Sequence, residues 1–151
     1  MLIYLIFQIL EKKIDQYSDL RSFTSRIESY SGDKKKDNYH GKGVLMFQDD
    51  EKYEGNFLNG RFHGFGTYTY GPKSIDAGDK YEGYYKKGKK SGKGILKIGD
   101  WVYEGQFIDD LANGFGQMKF GNGDTYKGEF KDGKKHGYGT YKFAIGEIDK
   151  G

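Results

Sequence analysis

Three histidines are the side chains of this sequence best suited to bind a metal ion or to transfer protons. His40, His63 and His136 each begin the pattern His-Gly-x-Gly, and Ser91 and Asn113 replace the histidine in two further copies of that pattern. Histidine, serine and asparagine all form hydrogen bonds, but they do not share a pKa near neutrality or an affinity for metal ions. The shared position therefore predicts a side chain that hydrogen-bonds to the backbone of a turn, and it argues against a metal site.

The carboxylates and the glycine–lysine segments do not form a catalytic pattern either. Glu54, Glu82 and Glu104 recur as a periodic row, whereas catalytic carboxylates are paired and differ in their surroundings. Segments 83–90 and 128–135 approach the spacing of a phosphate-binding loop, but both lack the serine or threonine that would reach magnesium. The sequence has no cysteine, which excludes disulfides and thiolate chemistry. We expect no catalytic residue, no cofactor and no metal.

The dominant feature of the sequence is an internal repeat. The pattern Tyr-x-Gly begins each copy, and His-Gly-x-Gly or its Ser and Asn variants follows at a constant distance, although one connection, residues 71–78, is longer than the others. The two patterns stay the same distance apart within each copy, even where the distance between copies changes, and this identifies a tandem array. The copies begin at Tyr30, Tyr53, Tyr81, Tyr103 and Tyr126.

The repeated unit, most regular in residues 126–139, resembles a MORN repeat. The first copy departs from the pattern, because Lys34 stands where an aromatic residue is expected and Asp37 replaces the glycine in the middle of the unit. The fourth copy has Asp110 at the same glycine position. We interpret the first copy as a degenerate, cap-like unit, as terminal repeats tend to be. The resemblance implies an all-β fold, an elongated single-layer antiparallel sheet of tandem hairpins with a grooved face.

Residue alternation favours the same fold without reference to any family. In the third copy Tyr81, Gly83 and Tyr85 alternate with polar or exposed positions, and a period of two predicts a strand. Each copy contains two such runs, so the array predicts one hairpin per repeat and about ten strands. Because the glycines share a face with large rings, we expect them, Gly92 included, to make room for the rings of neighbouring hairpins.

The N-terminal residues predict a separate element. Ile3, Phe7, Leu10 and Ile14 line one face of a helix, and the apolar run is shorter than the roughly 20 residues that cross a membrane. We therefore predict an amphipathic helix and linker at residues 1–29, followed by the repeat array at residues 30–151.

The composition and the resemblance together predict a non-catalytic protein-interaction scaffold. Proteins that this sequence resembles include radial-spoke head components, protist cytoskeletal proteins and junctophilins, which implies a cytoplasmic protein associated with the cytoskeleton or a cilium. We expect a helical or extended segment of a partner protein to lie in the aromatic groove, because such rings are enriched at interface hot spots. The predicted partner-binding residues are Phe65, Tyr85, Phe107, Phe115, Phe130 and Tyr138.

Two alternative functions are left open by the sequence. Lysines around the hairpin tips predict a basic edge for the anionic phospholipids of a membrane, although Asp109 and Asp110 interrupt that edge. The edge comprises Lys86, Lys87, Lys89, Lys90, Lys134 and Lys135. The array also resembles the repeats that precede catalytic domains in plant phosphatidylinositol-phosphate kinases and a SET-domain lysine methyltransferase, which implies a regulatory region of a larger enzyme. A homodimer is left open, whereas the net charge of +3 does not indicate nucleic acid binding.

Overall fold

The residues that the structure describes form a single antiparallel β-sheet, in which each strand pairs with the next strand in sequence. A computed structural model describes residues 26–73, 77–146 and 148–151. The sheet has eleven strands in sequential order. They are β1 (Ile27–Lys35), β2 (Asn38–Phe47), β3 (Lys52–Leu58), β4 (Arg61–Thr69), β5 (Lys80–Lys86), β6 (Lys89–Ile98), β7 (Trp101–Ile108), β8 (Leu111–Lys119), β9 (Thr125–Lys131), β10 (Lys134–Lys142) and β11 (Ile148–Lys150). The predicted all-β, single-layer antiparallel fold is confirmed.

The five repeats are the five consecutive hairpins from β1–β2 to β9–β10. Strand β11 pairs with β10 in the way that the first strand of each repeat pairs with the strand before it. Asp149 lies opposite Tyr141, at the position where the first strands of the earlier repeats have a tyrosine. A short 3₁₀ turn, Gln48–Asp50, connects β2 to β3. The predicted N-terminal helix falls almost entirely on residues 1–25, which lie outside the described residues, and β1 begins at Ile27, before the predicted boundary at Tyr30.

A row of glycines crosses the whole sheet. Gly83 lies opposite Gly66 on one side and Gly94 on the other, and the same glycine-to-glycine register continues through the neighbouring strands. The ring of Tyr81 lies over the Gly83–Gly94 pair, so that a Cβ added to Gly94 would meet the ring at 2.6 Å from Cε2. The glycines of this row therefore make room for the tyrosine of their own hairpin, which corrects the prediction that they receive rings from neighbouring hairpins. Gly92 lies outside the row, and a Cβ added to it would meet no ring, only the Cβ of Tyr84 at 3.7 Å.

The tyrosine hydroxyl completes the backbone hydrogen bonding of each hairpin. A register shift between Gly83 and Tyr85 interrupts the β5–β6 ladder at Tyr84. The Tyr81 hydroxyl donates to the Tyr84 carbonyl at 3.0 Å, which provides the carbonyl at the bulge with a partner. All five repeats share this bond, and the other donor–acceptor pairs are Tyr30–Asp33, Tyr53–Asn56, Tyr103–Gln106 and Tyr126–Glu129. Burial raises the pKa of these tyrosines, in the case of Tyr103 to about 12.

A second set of rings joins each hairpin to the one before it. Phe107 stands edge-on to Tyr103 of its own repeat at 5.2 Å between ring centroids, and to Tyr81 of the preceding repeat at 5.2 Å. Edge-to-face pairs of this kind contribute about 0.5–1.5 kcal/mol beyond the buried area. Phe57, Tyr85 and Phe130 bridge their own and the preceding tyrosine in the same way. We call the side of the sheet that carries these rings the ring-packed face.

Buried carboxylates hold the turns between hairpins. Asp124 accepts a hydrogen bond from the backbone N–H of Ala144 at 2.8 Å and one from the Tyr141 hydroxyl at 2.7 Å. These bonds to the ionised form hold the pKa of Asp124 below its usual value. Asp79 likewise accepts from the backbone N–H of Gly99 at 2.8 Å. Each carboxylate lies just before the first strand of a repeat and thereby holds the turn that follows the second strand of that repeat.

Candidate partner-binding surfaces

Three of the six predicted partner-binding rings belong to the interior of the array. Tyr85, Phe107 and Phe130 are buried on the ring-packed face, where each bridges the tyrosines of two repeats. A partner segment would reach them only after the hairpins separate. The structure therefore shows these three rings holding the hairpins together, and their predicted contact with a partner stays a prediction.

The other three predicted rings lie on the opposite side of the sheet, which we call the open face. Tyr138 is 84 % exposed, Phe115 is 68 % exposed, and Phe65 is about half-exposed. All three occupy the residue between the glycines of the Gly-x-Gly pattern, and strand alternation places that residue opposite the ring-packed face. The open face thus presents a row of aromatic side chains that its own sheet does not cover.

Tyr84 also belongs to the open face, and the sequence analysis did not assign it to the site. It lies opposite Phe65 across the β4–β5 pair, and the two rings meet edge-on at 5.5 Å between centroids. Alternation within β5 places Tyr84 on the same face as Glu82, a signal that was available in the sequence. Its contact with Phe65 depends on the register between two repeats, which alternation within one strand does not define.

A shallow depression of about 520 Å³ lies on the open face between the fourth and fifth repeats. Phe115 and Tyr138 line two of its sides, and the backbone of Gly128 and Gly139 lines it between them. The backbone positions that carry these two rings, on β8 and β10, are separated by about 10 Å, the width of two strands. The remaining lining residues are Lys127, Thr140, Lys150 and Gly151.

The charge pattern of the open face changes at this depression. Lys52 pairs with Glu54 at 2.9 Å, and Lys80 pairs with Glu82 at 2.8 Å, so the second and third repeats pair a lysine with the glutamate of the periodic row. In the fifth repeat Lys127 takes the position of that glutamate. Within the described part of the chain, Lys127 has no carboxylate partner.

The predicted lysine edge is divided between two environments. Lys86, Lys87, Lys89 and Lys134 are exposed at the hairpin tips. Lys90 instead lies over the ring of Tyr81 at 5.4 Å, and Lys135 lies over Tyr126 at 4.7 Å. Desolvation lowers the pKa of Lys90 and of Lys135.

These two ammonium groups therefore pack against the ring-packed face, whereas the other four lysines of the predicted edge are exposed at the tips. Lipid binding by this edge stays a prediction. No helix within residues 26–73, 77–146 and 148–151 is long and apolar enough to cross a membrane.

The histidines do not assemble into a metal site in the part of the chain that the structure describes, where no three His, Asp or Glu side chains form a ligand group. Asn113, at the histidine position, accepts a hydrogen bond at 3.2 Å from the backbone N–H of Asp132, as predicted for a turn. His40 differs, because its Nδ1 is buried and has no hydrogen-bond partner among the described residues. The prediction of backbone bonding thus holds for Asn113 and is wrong for His40.

The sequential hairpins, the glycine row and the bridging rings define a tandem β-hairpin repeat protein. The MORN repeat family model matches residues 30–51, 53–74, 81–102, 103–125 and 126–148, and the chain therefore belongs to the MORN repeat family. Each matched unit begins at a tyrosine that the sequence analysis identified as a repeat start.

Similar curated proteins are much longer than this chain. Human (Homo sapiens) Alsin is 37 % identical over 83 residues, which cover 54 % of this chain and 5 % of that protein. The human protein named ALS2 C-terminal-like protein is 36 % identical over 94 residues, covering 62 % of this chain and 10 % of that protein. The chain thus spans a tenth or less of the length of these relatives. The family and the relatives fit a repeat-based interaction module.

Proposed function

We propose that this chain is a non-catalytic protein-interaction scaffold that binds a segment of a partner protein on its open face. The observation that carries the proposal is the row of exposed rings, Phe65, Phe115 and Tyr138, on a sheet whose opposite face is already filled by its own aromatic side chains. Exposed aromatic side chains on rigid strands lose little conformational entropy on binding and are enriched at interface hot spots. The surface is therefore suited to recognition.

The test compares ring variants with charge variants in the intact chain. Phe65→Ser, Phe115→Ser and Tyr138→Ser, combined, should abolish quantitative co-purification of specific proteins from the native cell while leaving the melting temperature nearly unchanged. Because these rings are exposed, their removal creates no internal cavity. The control is Lys86→Glu combined with Lys87→Glu and Lys89→Glu at a hairpin tip, which should leave co-purification largely intact. Loss of binding in the control alone would contradict the proposal.

The cellular setting is a second part of the proposal. We place the protein in the cytoplasm, in a cytoskeletal or ciliary assembly, on the basis of the MORN proteins that the sequence resembles. A fluorescently tagged chain should follow a cytoskeletal or ciliary marker, and this pattern should disappear in the triple ring variant. Uniform staining of membranes that depends on the exposed tip lysines would support the phospholipid-binding alternative instead.

A further inference from the structure

The two aromatic pairs of the open face differ in whether they leave space for a ligand. Phe65 is covered on one side by Tyr84, and their edge-on contact at 5.5 Å fills the gap between two repeats. Phe115 instead lies opposite Glu129, whose carboxylate lies against Gly137, and among the described residues no ring besides Phe115 and Tyr138 lines the depression. A third ring between two rings about 10 Å apart would lie about 5 Å from each, which is the separation of favourable aromatic pairs. The depression is thus wide enough for one aromatic side chain.

The lining of the same depression contains two lysine side chains and no carboxylate side chain. Lys127 and Lys150 line it, and neither forms an ion pair with a described residue. Strands β9 and β10 together contain Glu129 as their single carboxylate, against several lysines. An anionic ligand beside the rings would give Lys127 and Lys150 the carboxylate partners that Lys52 and Lys80 have in earlier repeats.

We propose that the Phe115–Tyr138 depression binds an acidic segment of a partner protein, with one aromatic side chain between the rings and neighbouring carboxylates on Lys127 and Lys150. This inference rests on the proposed function and specifies the chemistry of the partner. A peptide can contact both the rings and the lysines of the depression, because an aromatic side chain and carboxylates can lie within a few residues of one another in a peptide. An anionic membrane surface would satisfy the lysines and leave the slot between the rings without a specific occupant.

The probe is a displayed library of random peptides, selected against the intact chain at low salt. Selected peptides should combine a net negative charge with a Phe, Tyr or Trp. Tyr138→Ser should weaken their binding by about 10-fold or more, as loss of a hot-spot ring does. Lys127→Glu should weaken it by about 5-fold, and added salt should reduce that difference.

The Lys127→Glu variant restores the residue type of three other repeats, so we expect it to fold. Its matched control is Lys97→Glu, an exposed lysine of the same face that does not line the depression and should leave peptide binding unchanged. The melting temperature of each variant is measured alongside its affinity.

Three outcomes would overturn the inference, and they are distinguishable from one another. Selected peptides that are neutral or basic, yet lose binding in Tyr138→Ser, would leave the scaffold function standing and refute the acidic partner. Acidic peptides that bind Phe115→Ser and Tyr138→Ser as tightly as the unmodified chain would refute the depression and the open-face proposal together. Binding to phosphatidylcholine vesicles containing phosphatidylserine, lost in Lys127→Glu without any peptide selection, would assign the lysines to lipid.

Discussion

Replacing Gly94 with alanine tests whether the tyrosine rings truly lie against the glycine row. The backbone φ of Gly94 is an ordinary one, so any residue can adopt the conformation, and only space is at issue. A Cβ at this position would meet the Tyr81 ring, at 2.6 Å from Cε2 and 2.7 Å from Cζ, with the hydroxyl oxygen closer still. Tyr81 is fully buried, and Tyr85 and Phe107 stand edge-on to it. The ring could therefore move only by displacing its neighbours.

The magnitude follows from the two interactions that the substitution disturbs. Adding a methyl group to a packed interior costs about 1–3 kcal/mol. Moving the ring also breaks the bond from the Tyr81 hydroxyl to the Tyr84 carbonyl, which contributes about 0.5–1.5 kcal/mol. We therefore expect Gly94→Ala to lower the free energy of unfolding by about 2–4 kcal/mol.

Gly92 provides the matched control, two residues away on the same strand. Its Cβ would stand 3.7 Å from the Cβ of Tyr84, an ordinary contact, but its φ is +78°. Gly92→Ala should therefore cost about 1–2 kcal/mol from left-handed backbone strain. Gly92→Asn should cost less, because asparagine tolerates that region. At Gly94 the order reverses, and asparagine should be at least as damaging as alanine.

Equilibrium urea unfolding, followed by far-ultraviolet circular dichroism and tryptophan fluorescence, measures all four variants. A free energy of unfolding for Gly94→Ala within about 0.5 kcal/mol of the unmodified chain would refute the packing of Tyr81 on Gly94, since a clash of this kind costs at least about 1 kcal/mol. It would also be refuted if the ranking of alanine and asparagine were the same at both glycines, because space and backbone strain would then not be separable.

Three further predictions concern titration and turn geometry. Burial raises the pKa of Tyr103 to about 12, so stability should fall as the pH rises from about 10 towards 12, with tyrosinate absorbance and loss of sheet structure appearing together; separate transitions would contradict this. The lowered pKa of Asp124 contributes stability that is present above about pH 4 and lost as the pH falls further, and Asp124→Asn should flatten this acid limb in urea unfolding. Asp37 and Asp110 both have positive φ where other repeats have glycine, so Asp37→Gly should stabilise the chain by up to about 1 kcal/mol. Asp110→Gly should bring little gain, because Asp110 accepts a 2.8 Å bond from the backbone N–H of Lys90; equal gains in calorimetry would show that this bond contributes nothing.

The repeat frame and the strand alternation could be predicted from sequence because both are local properties. The Tyr-x-Gly and Gly-x-Gly landmarks recur at the same separation, and a period of two assigns each side chain to one of two faces. These rules correctly located the hairpins and the tyrosine that begins each unit. They also placed Phe65, Phe115 and Tyr138 on the alternate face from Tyr85.

Tertiary structure decided which face is buried. A single-layer sheet has two faces, and alternation along a strand does not show on which face the side chains pack against one another. Because the glycines have no side chain, the ring of Tyr81 lies directly on the backbone. Phe107 of the next repeat then stands edge-on against that ring. Burial of the second ring set therefore depends on contacts between consecutive hairpins, which alternation within one strand does not define. The same lateral register pairs Phe65 with Tyr84 and places Phe115 opposite Glu129, away from any ring of the described residues. Residue types and spacing determined that the chain is a hairpin array, whereas the packing of one hairpin on the next determined which of its rings a partner can reach.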